Sequence, residues 1–300
     1  IIKETLTSIC EGKNSKELLE VKVCDAAMGS GHFLIGALNF LTSYYLKALE
    51  DEQLSADIPS KEEAKRVVLD KCIFGVDINP RAVKLAKMSL WLESAHWGKK
   101  LERLDDQLIN SNALVEETIW PEYKNIMDSG FSAVVGNPPY IGEKGNKHLF
   151  EDVKGGRLSK YYQGKMDYFY FFFHLGLDML APKGRLGFIT TNYFPTAAGA
   201  RVLRIDLQER ASSLALIQLN ENKVFESASG QHNMISILER GGPCDAISAI
   251  NIPKNKNFEK EYFKEQVQSA KLLGRFESNE SYIRIVSAYD EILCQISNIS

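Results

Sequence analysis

Phe131-Ser132-Ala133-Val134-Val135-Gly136-Asn137-Pro138-Pro139-Tyr140 opens as an apolar run and closes as a turn. Two valines in so short a run predict a buried parallel strand, and Gly followed by Asn-Pro-Pro stops it abruptly. Consecutive prolines fix φ at about −65° and supply no N–H, so the strand is expected to end in a rigid polar tip. At that tip the Asn137 side chain and the Pro138 carbonyl are expected as outward-pointing, unsatisfied acceptors, with the flat ring of Tyr140 beside them. Such a tip suits a planar amine, whose two N–H groups donate to the two oxygens while the ring stacks on the attached heterocycle. Those hydrogen bonds pull the nitrogen toward a tetrahedral shape and localise its lone pair, so a poor nucleophile becomes usable without a strong base. A plain strand-ending turn would use the same residues, and the rest of the chain has to separate the two readings.

Outward from this stretch, short β-rich runs alternate with longer helical ones, the pattern of a doubly wound, mostly parallel sheet. Seven strands are expected, at 21–25, 72–78, 107–110, 131–135, 186–191, 214–219 and 232–238. Leu34, Leu38, Leu41 and Tyr45 recur at helical spacing after the first, and Asn79-Pro80 supplies an N-cap and first-turn proline for a helix striped by Val83, Ala86 and Leu90. Further helices are expected at 61–69, 167–180 and 197–210. Residues 141–165 form a polar stretch without period, carrying Lys144, Lys147, Lys154, Arg157 and Lys160 beside Tyr161 and Tyr162. A loop of that length is expected to be functional or disordered, and its cations are candidate contacts for nucleic-acid phosphates. Interleaved Glu143, Glu151 and Asp152 fit a solvated surface loop equally well. Past Gly241-Gly242-Pro243 the composition turns polar, with a helix expected near 283–296. The expected organisation is a catalytic domain over 1–240 and a linker with a helical segment over 241–300.

The 300 residues, 44% hydrophobic and 25% charged, fit one large α/β domain or one with an appendage. A net charge of −3 gives no global pull toward nucleic acid, so such binding has to come from a local patch or a further segment. Five cysteines without a C-x-x-C pair read as reduced core residues of a cytoplasmic protein, and the five histidines show no metal-ligand spacing. The longest apolar stretch, 168–180, is too short to span a bilayer and carries His174 and Asp178, and the first residues lack the pattern of a signal peptide.

Gly29 and Gly31 let the backbone turn sharply between the first strand and its helix, with helix N–H groups facing a ligand. A dinucleotide site wants a third glycine where Leu34 stands, so a single-nucleoside cofactor without a pyrophosphate fits better. Asp77, at the tip of the second strand, is placed to take both hydroxyls of a ribose, and Asn112, at the third, to meet an adenine edge. A capping Asp and a turn Asn are the plainer readings of those two residues alone.

In order, Asp25-Ala26-Ala27-Met28-Gly29-Ser30-Gly31-His32-Phe33, Val76-Asp77-Ile78-Asn79, Asn112-Ala113-Leu114 and Asn137-Pro138-Pro139-Tyr140 resemble the motifs of S-adenosylmethionine-dependent amino-methyltransferases. Their order is similar to the gamma class of DNA adenine-N6 methyltransferases, which includes restriction-modification enzymes. The resemblance covers roughly residues 1–240. It implies a Rossmann-like class I methyltransferase fold whose last strand runs antiparallel. It implies that Asp25, Met28, Gly29, Ser30, Gly31, His32 and Phe33 hold the methionine part of the cofactor, Asp77 the ribose, Ile78 an adenine face, and Asn112 with Ala113 the adenine edge. Asn137, Pro138 and Pro139 would form the catalytic tip, with Tyr140 and Phe225 stacking on a base flipped out of double-stranded DNA. No metal is implied for the transfer. Many relatives have Asp-Pro-Ala-Cys-Gly-Ser-Gly where this chain has Asp25 to Gly31. The family's aromatic Tyr-Thr-Pro segment is not found after Ile1, so the cofactor pocket is expected to be incomplete within this sequence. Target recognition is expected from a domain past Ser300, and a nuclease, if one belongs to the protein, from outside this segment. The same tip would serve methylation of a protein glutamine or an RNA base amine, and a non-catalytic cofactor-binding module is the remaining alternative.

Overall fold

The computed structural model describes residues 1–52, 58–95, 103–220, 222, 232–244, 247–253, 272–276 and 282–286. Its strands are β1 (Val23–Asp25), β2 (Ile73–Asp77), β3 (Leu108–Asn110), β4 (Phe131–Gly136), β5 (Leu180–Thr191), β6 (Ala211–Asn220), β7 (Asn233–Arg240), β8 (Ile247–Asn251), β9 (Leu272–Phe276) and β10 (Ile283–Val286). They make one sheet in the order β10-β9-β8-β6-β7-β5-β4-β1-β2-β3. Strands β1 to β5 pair in parallel, and β7 runs antiparallel to both its neighbours, β5 and β6. All seven expected strands form, and the seventh is the reversed one.

The helices are α1 (Ile2–Cys10), α2 (Ser15–Leu19), α3 (His32–Asp51), α4 (Lys61–Cys72), α5 (Pro80–Glu93), α6 (Lys124–Ser129), α7 (Lys147–Lys154), α8 (Phe169–Met179) and α9 (Arg201–Arg210). Caps fix several starts. Asn79 accepts from the Arg81 N–H ahead of α5, and Ser60 and Glu63 form a reciprocal capping box for α4. Alternate residues of the sheet serve its two faces: Val23, Ala133 and Val135 pack with α1, α3, α4 and α5, while Cys24, Val134 and Leu186 pack with α6 to α9. Polar groups lock α8 to α9. His174 is fully buried, its Nδ1 donates to Asp206 Oδ2 at 2.7 Å, and its ring stacks on Tyr161 at 3.7 Å. Arg210 pairs with Asp206 and with Asp178. Burial holds the imidazole below its ordinary value of 6.5, so it sits neutral with the proton on Nδ1.

Three expectations need correction. The sheet does not stop at 240, because β8 pairs in parallel with β6, and β9 and β10 continue antiparallel from it. Residues 283–286, the start of the expected helix, are strand β10; the remainder of that helix lies outside the described residues. Ile283-Arg284-Ile285-Val286 begins with strict apolar-charged alternation, which suits a strand with one buried face. The stretch 141–165 is not a structureless loop. It contains α7 and a short 3-10 turn at Ser159–Tyr161, and buries Phe150, Val153, Leu158 and Tyr161 against α8.

Candidate active site

The strand tips of β1, β2, β3 and β4 converge on one cavity of about 230 Å³. Ala26, Ala27, Asp77, Ile78, Asn112, Ala113, Asn137 and Pro139 line it, all from the expected motifs. Ser111, Tyr168 and Phe172 complete the wall; the motifs did not point to them. Asp25, expected among the cofactor residues, does not itself line the cavity: it adjoins Ala26, is 1% exposed, and its Oδ1 accepts the Ala27 N–H at 3.0 Å. Its carboxyl sits so close over β4 that a Cβ at Gly136 would fall 2.7 Å from Oδ1. Burial raises the Asp25 pKa to about 7; the Ala27 N–H opposes the rise and the nearby Asp77 charge adds to it.

The turn after β1 is tied down at both ends. The Met28 N–H donates to the Val76 carbonyl and the Gly31 N–H to the Met28 carbonyl, while Gly29 and Gly31 take φ of +54° and +87°. At Gly31 a side chain would also meet Ala86 of α5 at 3.2 Å, so glycine is needed there on two counts. Asp77 joins turn to strand: Oδ2 accepts the Gly29 N–H at 2.9 Å and Oδ1 the Asn79 N–H at 2.8 Å. Each oxygen keeps a further acceptor site in a fixed orientation. Ile78 beside it is 65% exposed, an apolar side chain left uncovered at the cavity. Asn110, which sequence reasoning passed over, donates through Nδ2 to the Asp77 and Ile78 carbonyls and holds that tip.

Other expected cofactor residues are placed differently. The Met28 side chain turns into the core, so only its backbone serves the turn. Phe33 packs partly buried against the sheet, and Ser30 with His32 (Oγ to Nδ1, 3.1 Å) lies toward solvent.

At the end of β4 the expectation of an unengaged Asn137 acceptor is corrected. The Tyr140 hydroxyl reaches Asn137 Oδ1 at 2.5 Å and the Ile189 carbonyl at 3.0 Å, donating to this pair of acceptors. Burial raises the Tyr140 phenol above its ordinary value and keeps it a donor. Its ring packs edge-on against Phe169 at 6.0 Å. Among the described residues no group donates to the Pro138 carbonyl. Phe225, the expected second jaw, lies outside the described residues.

The basic segment flanks this tip and is folded by Glu143, 8% exposed, which accepts from the Tyr162 hydroxyl and the Lys165 N–H, both at 2.5 Å. Those contacts hold its carboxyl below the usual range. Lys144 and Lys147 are exposed and form no ion pair among the described residues. Lys154 pairs with Glu151 at 2.7 Å and lies over the Tyr162 ring; Lys160 lies over Tyr161. Arg157 is turned inward, its Nη2 donating to the Ala113 carbonyl at 2.9 Å, which corrects its expected place among the solvent-facing cations.

The sequence profile of the Eco57I restriction-modification methylase family matches residues 71–225, just over half of the chain. The chain belongs to that family. This Eco57I-family chain is 28% identical over 254 residues to the Type II restriction enzyme and methyltransferase RM.Eco57I of Escherichia coli, covering 76% of the chain and 25% of that protein. It is 29% identical over 155 residues to the Type II methyltransferase M.HincII of Haemophilus influenzae, covering 51% of the chain and 30% of that protein. The family member described here thus spans under a third of the length of either relative. Among solved structures, a nuclease-deletion mutant of the Type ISP restriction-modification enzyme LlaGI, in complex with a DNA substrate mimic, superposes with a TM-score of 0.65 at 16% identity. That match covers 94% of the chain and 26% of the solved one. A modification subunit of a putative type I restriction enzyme from Vibrio vulnificus gives 0.63 at 16% identity, over 97% and 60%. The shared feature is the fold, and it is the Rossmann-like class I methyltransferase fold that the motifs implied.

Proposed function

We propose that the chain carries the methyl-transfer site of a restriction-modification enzyme, moving a methyl group from S-adenosylmethionine to the exocyclic N6 of an adenine flipped out of duplex DNA. One observation carries the reading: the Asp77 carboxylate and the Asn137 side chain line the same cavity, so a nucleoside grip and an amine grip share one wall. The residues fit the cofactor. Asp77 offers acceptors to a ribose, exposed Ile78 an apolar face and Asn112 an amide edge, while buried Asp25, adjoining the lining residue Ala26, is proposed to act on a cationic group through space. When bound, S-adenosylmethionine supplies an electrophilic sulfonium methyl. Asn137 Oδ1 and the Pro138 carbonyl take the two N–H groups of the amine and aim its lone pair. An amide oxygen has two acceptor sites, so Asn137 accepts the amine while the Tyr140 hydroxyl keeps its bond or shifts wholly to the Ile189 carbonyl. The work asked of the protein is positioning and polarisation. Phe225 is proposed as the second stacking residue, with Lys144 and Lys147 as phosphate contacts.

The proposed catalytic unit is carried by β1 to β7 within 1–240, on a sheet that continues through β8 to β10, with recognition and any nuclease supplied from outside the segment. A cytoplasmic setting fits the buried free thiols of Cys10, Cys24, Cys72 and Cys244. In an assay with methyl-labelled cofactor and mixed-sequence duplex, label is expected on adenine N6. Asn137→Ala should lower turnover about a thousandfold with cofactor affinity kept, since it removes an interaction made with the reacting amine. Label on cytosine, RNA or polypeptide would refute the assignment.

A further inference from the structure

We infer that Arg157 is a positioning residue for the adenosine end of the cofactor cavity; the inference rests on the cofactor reading above. Asn112 and Ala113 both line the cavity, yet they belong to no helix or strand. They follow β3, a strand of only three residues, and form a turn in which the Asn112 carbonyl accepts the Val115 and Glu116 N–H groups and Oδ1 accepts the Leu114 N–H. The Ser111 N–H, donating to the Asp77 carbonyl at 3.1 Å, and Asn110 Nδ2 tie the entry of this turn to the Asp77 tip, which leaves its far side, at Ala113, to be held from elsewhere. One side chain from the following polar segment does so. The Arg157 guanidinium donates from Nη2 to the Ala113 carbonyl at 2.9 Å.

Arg157 is half-buried, and its Nε is buried without a hydrogen-bond partner. No carboxylate pairs with it among the described residues; Asp178 and Glu117 act on it only through space. A cation held in so poorly compensated a place is badly sited to meet a phosphate in solvent and well sited to fix one backbone carbonyl, through a charge-assisted hydrogen bond. Residues 141–168, whose exposed lysines are the proposed DNA contacts, thereby also brace the cofactor wall.

The two roles for Arg157 predict opposite results. A phosphate contact, once removed, lowers the slope of log K against log salt by about one and leaves cofactor affinity alone. A positioning residue does the reverse. We would titrate the full chain with S-adenosylhomocysteine by calorimetry and with duplex DNA at several salt concentrations, for wild type, Arg157→Ala and Arg157→Met. Both variants are expected to bind S-adenosylhomocysteine about tenfold more weakly, with melting temperature within a few degrees and the DNA salt slope unchanged. Arg157→Lys, which keeps a cationic donor, should recover part of the loss. Should Arg157→Ala not fold, Arg157→Met keeps the buried stem and gives the same answer. Wild-type affinity in either folded variant would overturn the inference, whereas no binding by the wild type would remove the cofactor reading itself.

Discussion

Asp25 carries the sharpest single-residue consequence. With its pKa raised to about 7, it is largely protonated in the empty site at pH 6 and largely ionised at pH 8. A cationic ligand favours the ionised form, so binding should release a proton below pH 7 and weaken about tenfold per unit of acidification there. Calorimetry of S-adenosylmethionine binding in two buffers of different ionisation enthalpy would count that proton. Asp25→Asn should bind more weakly at pH 8 and show a flat profile. At this scale the sequence was informative where a residue ends a strand: Asp77, Asn112 and Asn137 stand at tips and line the cavity. It was silent on Tyr168 and Phe172, because an aromatic run reads as core whichever face later meets a cavity. The bond from Tyr140 to Asn137 was illegible too, since it depends on β5 placing Ile189 alongside.

Among the elements, the α8–α9 pair is the one whose stability should follow pH through a single group. The His174 imidazole has its folded value below 6.5, so the unfolded chain takes up this proton first. Stability from this group is therefore complete above pH 6.5 and lost as pH falls from there through the folded value. His174→Asn keeps a donor for Asp206 and removes the titration. Urea unfolding at pH 7 and pH 5 should show wild type losing more stability than this variant, and equal losses would contradict the assignment. The first seven strands were legible because each is an apolar run closed by a turn signal. Strands β8, β9 and β10 were not: their alternation is short, and they are ordered by pairing to β6 and to one another. The cations of 141–165 were readable as residues, but their fate was set by Glu143 and by the aromatic face of α8, which no local pattern announces.

On the scale of the whole molecule, the proposed cofactor residues follow β1 to β3, the proposed amine grip follows β4, and the remaining sheet extends away from them through β5 to β10. A ligand touching several of these tips should couple to global unfolding. S-adenosylhomocysteine at a hundred times its dissociation constant should add about 2.7 kcal/mol and raise the melting temperature by about 5 °C in a thermal scan. The abutment of Gly136 on the Asp25 carboxyl has a wider meaning. Neighbouring strands stand roughly 4.8 Å apart, and Cys24 is in register with Val134 just before both tips. On the proposed reading, the ladder itself is thus the ruler that spaces methyl donor from methyl acceptor. Heat inactivation and loss of sheet circular dichroism should therefore share one midpoint, because the spacing vanishes only when the sheet does.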